Sequence, residues 1–249
     1  MAPAPHRSLL RSALISILPA GLMTGAFAAF VSHGFGLDGA YPAKALAVFG
    51  AEAALGLVGL SKPQPFVSFG AANQVTLARA ALVALLAGLI GERPVPGLAA
   101  IVTAAAVMIA VLDGVDGWLA RRQHMASEFG ARFDMETDAL FIMVLAGLAW
   151  QFDRAGAWVL VSGLLRYLFI GAGLIAPWMR RALPPSSRRK FIAVVQVIAL
   201  ILTLAPFVPA TATPAIAAMG LCALALSFLV DVVWLVQHAA RPRATISPQ

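Results

Sequence analysis

Four aspartates interrupt an otherwise apolar stretch: Asp113 and Asp116, then Asp134 and Asp138. An ionised carboxylate near hydrocarbon costs on the order of several kcal/mol, so a set this dense repels itself and protonates unless cations compensate it. A bound divalent metal is the natural compensator. Carboxylates are the strong ligands here, with only His124 nearby among the softer ones, which points to a hard ion such as Mg²⁺ or Mn²⁺. Mg²⁺ in turn points to phosphates, because it keeps several waters and binds through a few carboxylates together with substrate phosphate oxygens. Gly117 and Ala120 follow on the helical face of Asp113 and Asp116, small enough to admit a flat ligand or a neighbouring helix. Arg121 then offers a fork-shaped donor to a phosphate or carboxylate.

The elements that must position these residues are membrane helices. Of 249 residues, 61% are hydrophobic and 12% charged, with a mean hydropathy of +0.87, where soluble domains carry about 25% charge. Windows of about 20 apolar residues fall near 9–31, 43–60, 74–91, 97–117, 130–150, 156–178, 190–208 and 214–238. Between them lie breakers: Gly34 to Asp38, Pro63-Gln64-Pro65, Arg93 to Pro96, Pro184 to Ser187, and Pro209 to Pro214. An all-α integral membrane fold of about eight helices is expected, since backbone in hydrocarbon must satisfy its own hydrogen bonds and no barrel alternation is visible. Asp113 and Asp116 (i, i+3) end one helix, and Asp134 and Asp138 (i, i+4) begin the next. Two antiparallel helices on a short loop then bring all four together.

With the amino terminus inside, twelve of the eighteen Lys and Arg fall in cytoplasmic segments: Arg7, Arg11, Lys62, Arg121, Arg122, Arg180, Arg181, Arg188, Arg189, Lys190, Arg241 and Arg243. This places the aspartates at the cytoplasmic face of a multi-pass protein, expected in a bacterial inner membrane. The first span is read as a retained helix rather than a cleaved signal, being longer than the usual apolar region of ~7–15 residues. A charge of +7 spread thinly over such a chain suits membrane topology rather than nucleic-acid binding, and the lone Cys222 excludes a disulfide framework.

The pattern Asp113-x-x-Asp116-Gly117-x-x-Ala120-Arg121, eight residues, Gly130-x-x-x-Asp134-x-x-x-Asp138 resembles the signature of the CDP-alcohol phosphatidyltransferases, class I. Asn73, Thr76 and Arg79 are similar to the family's opening motif, although Ala72 stands where many members have Pro. The resemblance implies a six-helix catalytic domain over 72–238, preceded by a two-helix extension at 1–62 and followed by a cytoplasmic tail at 239–249. It implies transfer of a phosphatidyl group from CDP-diacylglycerol, or a similar CDP-alcohol, to a polar alcohol with release of CMP, which explains the need for a bilayer. It assigns Asp113, Asp116, Asp134 and Asp138 to the metal, Asp138 also to the role of base. Thr76, Arg79, Asp113, Gly117, Ala120, Arg121 and Gly130 are assigned to the CDP group. A homodimer is expected from the same resemblance.

Arg132, Arg166 and Lys190 are candidates for the acceptor pocket, and if they line it, a phosphorylated acceptor such as glycerol 3-phosphate is favoured. Arg189-Lys190 stands where many members carry Gly-Lys, a departure from the family pattern at this point. Each also has a structural reading: Lys190 as part of a basic loop, and Arg166 as the partner of Asp231. Glu52, inside the second span, is expected to find an interhelical hydrogen bond. The alternative function is a divalent-cation transporter or channel, since carboxylates within membranes also mark ion pathways.

Overall fold

Apolar runs this long close their backbone hydrogen bonds locally, and the described residues, 5–60, 69–122 and 128–239 of a computed structural model, contain helices and no strand. The helices are α1 (Pro5–Phe35), α2 (Tyr41–Leu60), α3 (Ala71–Gly88), α4 (Leu98–Arg122), α5 (Glu128–Gln151), α6 (Val161–Ile175), α7 (Ser187–Leu204) and α8 (Thr213–Ala239). Lys62 and the Pro63–Pro65 linker, His124, and the tail with Arg241 and Arg243 lie outside the described residues. Among the described residues, six helices are long and apolar enough to cross a bilayer: α1, α2, α3, α4, α6 with its leading 3-10 turn, and α8. The chain is a multi-pass membrane protein. Helices α5 and α7 miss that composition because they open on charge, Glu128 to Asp138 in one and Arg188-Arg189-Lys190 in the other.

Several boundaries differ from expectation for local reasons. The expected span 156–178 is a 3-10 turn at Ala157–Leu160, then α6, then a second 3-10 turn at Pro177–Arg180, where the proline ends the regular helix. Pro214, where the expected span 214–238 begins, sits in the first turn of α8, where its missing N–H costs nothing. In the turn from α3 to α4, Gly91 and Gly97 take φ of 87° and 82°, left-handed values that a side chain would strain.

Packing makes α3 and α5 the centre. Helix α4 lies on α3, and α5 touches α2, α3, α6 and α7, while α8 closes on α7 and α6. Helices α1 and α2 pack on α3, with Gly21 and Gly25 of α1 facing Phe49 and Leu46 of α2. At the end remote from the aspartates, buried Glu92 accepts from Lys44 Nζ at 2.5 Å and from the Asp38 backbone at 2.9 Å. Gln151 of α5 donates to the Leu89 and Glu92 carbonyls there, so one polar knot ties α2, α3 and α5 together.

Candidate active site

The side chain that organises the aspartates comes from neither of their helices. Helices α4 and α5 make little direct contact, and each instead leans on α3, which carries Arg79. Arg79 is 0% exposed, and its guanidinium lies among all four carboxylates. Nη1 is 2.6 Å from both Asp116 Oδ2 and Asp134 Oδ1, and Nη2 is 2.8 Å from Asp113 Oδ1 and also bonded to Asp138 Oδ1. Thr76, one turn earlier on α3, donates to Asp116 Oδ2 at 3.0 Å. The four acids of α4 and α5 do meet, as expected, and a third helix gathers them by charge, because an Arg inside a membrane needs anions as badly as they need it.

The four differ in access. Asp116 is 4% exposed and is held from α3 alone, whereas the side chains of Asp113, Asp134 and Asp138 are 41%, 39% and 43% exposed. Arg79 engages one oxygen of each carboxylate, so each keeps a second, and four negative charges face one positive. Asp113, Asp116 and Asp134 present oxygens within 4.8 Å of one another. An all-oxygen, net-negative set with an accessible side fits a hard divalent cation.

Beside the cluster opens a cavity of about 430 Å³ between α4, α5 and α7. Arg79, Asp113 and Asp138 form its polar end, while Val107, Val111, Phe141, Val197 and Leu202 are among its apolar walls. A ligand held here is apolar over most of its length and anionic or metal-bound at one tip.

The other expected residues separate. Gly117 lies beside Asp116 in α4 and Gly130 in the first turn of α5, both half-buried. Ala120 and Arg121 are in the last turn of α4, with side chains outside the described set. Lys190 is exposed one turn before Ala193 and Val194, which line the cavity, so it stands on the cavity face of α7. Arg132 is exposed, two residues from Asp134 and so on the far side of α5. Arg166 is there too, with Nη2 2.5 Å from Glu136 Oε1. Asp231 is not its partner: it binds Arg188 at 2.5 Å and Arg189 at 3.2 Å, because α8 ends against the start of α7.

The role of Arg79 as counter-ion was missed from the sequence, where it was read only as a nucleotide contact. Its signal was present, for Arg79 lies inside a span and the rule that sought a partner for Arg166 applied to it equally.

The family model of the CDP-alcohol phosphatidyltransferases matches residues 69–233, the greater part of the chain, from just before α3 into α8. No curated protein and no solved structure matches. The chain belongs to the CDP-alcohol phosphatidyltransferase family, whose members move a phosphatidyl or similar group in the membrane with a divalent metal.

Proposed function

We propose that this protein transfers the phosphatidyl group of CDP-diacylglycerol, or a similar CDP-alcohol, to the hydroxyl of a polar acceptor and releases CMP. The observation that carries the proposal is the cavity of about 430 Å³, apolar along α4, α5 and α7 and ending on Arg79, Asp113 and Asp138. A lipid-linked diphosphate has that polarity: acyl chains for the walls, phosphates for the tip. A cation pathway favours acids spread along a pore, whereas these gather in the C-terminal half of α4 and the N-terminal half of α5, beside a mostly apolar cavity.

Asp113, Asp116 and Asp134, with Asp138, hold Mg²⁺ or Mn²⁺ in this reading. Bound there, the metal neutralises charge on the donor's diphosphate. Thr76 and Arg79 fix Asp116, and Gly117, Ala120, Arg121 and Gly130 receive the CDP group. The acceptor oxygen bonds to the phosphatidyl phosphorus, the bond from that phosphorus to the CMP oxygen breaks, and the hydroxyl proton passes to Asp138. Lys190, on the cavity face of α7, is the best placed of the three basic candidates to meet a phosphorylated acceptor such as glycerol 3-phosphate. Arg166 is occupied by Glu136, and Arg132 shares that far side of α5.

Residues 1–62 form an extension on the catalytic domain in this reading. The aspartate end faces the cytoplasm of a bacterial inner membrane, because Arg180, Arg181, Arg188, Arg189 and Lys190 cluster at that end and, among the described residues, Lys44, Arg93 and Arg154 at the other. The test is purified protein with CDP-diacylglycerol and a panel of alcohols, following CMP and lipid product by mass. Product should form with Mg²⁺ or Mn²⁺, stop with chelator, and be absent in Asp138→Asn. Metal-independent turnover, or full turnover in that variant, refutes the assignment.

A further inference from the structure

Among the buried polar groups of the described residues that lack well-formed hydrogen bonds are three from neighbouring helices: both carboxylate oxygens of Glu52 on α2, the Thr137 hydroxyl on α5 and Arg79 Nε on α3. Glu52 is 7% exposed in the middle of α2 and lies close enough to Thr137 of α5 to interact with it, as an interhelical partner was expected to, yet neither of its oxygens makes a well-formed hydrogen bond. Buried polar atoms are rarely orphaned, so three in one place call for a common explanation.

Helix packing puts them together. A Cβ on Gly59 would lie 2.9 Å from the Phe129 ring, and one on Gly56 would lie 3.6 Å from the Phe133 ring. Those glycines let α2 settle on α5, antiparallel, with each step of three or four residues along one helix matched on the other. The next step sets Glu52 opposite Thr137, the neighbour of Asp138, and Glu52 also lies within electrostatic reach of Arg79. A guanidinium has five N–H donors. Four of those on Arg79 serve the aspartates, and the fifth, on Nε, has no partner.

We propose that Glu52 is a positioning residue for the aspartate site: through one water shared with Thr137 it accepts the Nε–H of Arg79 and holds the guanidinium fixed beneath the four carboxylates. Such a water satisfies all three orphaned groups at once. Helix α2 then supports the catalytic apparatus, since it anchors the cation that α3 contributes. This inference rests on the transferase reading above.

The experiment compares Glu52→Gln with Glu52→Met in the full-length protein. Both side chains fill the space, but only glutamine keeps an acceptor oxygen. Glu52→Met should lower kcat for CMP release on the order of tenfold, the worth of one buried hydrogen bond, with the KM for CDP-diacylglycerol little changed. Glu52→Gln should stay within roughly threefold of wild type in the same assay. Mn²⁺ titration by electron paramagnetic resonance needs no substrate: the methionine variant should bind Mn²⁺ several-fold more weakly, the glutamine variant like wild type. Methionine at the wild-type kcat, or glutamine as slow as methionine, overturns the proposal. Wild type without turnover on any alcohol sinks the transferase reading instead, and the Mn²⁺ comparison still judges Glu52. Should Glu52→Met not fold, Thr137→Val takes its place, and unchanged kcat and Mn²⁺ affinity there overturn the proposal equally.

Discussion

Replacing Arg79 by methionine removes the one positive charge among four carboxylates while keeping most of the side-chain volume. The pairs it breaks are unequal. Asp113, Asp134 and Asp138 are about 40% exposed, so water and salt replace much of what Arg79 gives them, and each such pair is worth about 0–1 kcal/mol. Asp116 is 4% exposed, and stranding a buried charge by removing its partner costs about 3–5 kcal/mol. For a chain of this length, that corresponds to a melting temperature lower by roughly 6–20 °C, to be read by tryptophan fluorescence in detergent. Two rescues follow from the charge argument. The double variant Arg79→Met/Asp116→Asn should recover most of the loss, because the stranded charge is gone, and a double-mutant cycle isolates that coupling. Millimolar Mg²⁺ or Mn²⁺ should also raise the melting temperature of Arg79→Met, since a ligand that binds only the folded state stabilises it. If Arg79→Met melts with the wild type, or if Asp116→Asn brings no recovery, charge compensation by Arg79 is not what holds the cluster.

Two further expectations concern shape. Val197→Trp intrudes on the cavity of about 430 Å³ and should raise the KM for a long-chain CDP-diacylglycerol on the order of tenfold, more than for a short-chain one; equal effects on both donors would remove the acyl chain from that cavity. A Cβ on Gly163 would stand 2.6 Å from the Met143 Cα, backbone that cannot step aside, so Gly163→Ala should cost about 1–3 kcal/mol in a thermal melt. Gly171→Ala, facing open space, should melt as wild type.

Composition and spacing were enough to read eight helices, a bilayer and a gathering of aspartates from two neighbouring helices. Those follow from local rules: about 20 apolar residues to cross hydrocarbon, and carboxylates at i, i+3 and i, i+4 to share a face. The family pattern from Asp113 to Asp138 was legible for the same reason, since it lies within one stretch of chain. What the folded chain decided was which groups from distant stretches meet. Arg79, more than thirty residues before Asp113, gathers the aspartates. Glu136 rather than Asp231 takes Arg166, and Glu52 of α2 arrives at Thr137 because Gly56 and Gly59 let that helix close on Phe133 and Phe129. Sequence periodicity states which face of a helix a residue occupies. It cannot state which helix lies against that face, because the match of glycine to ring and of charge to charge exists only between helices already packed.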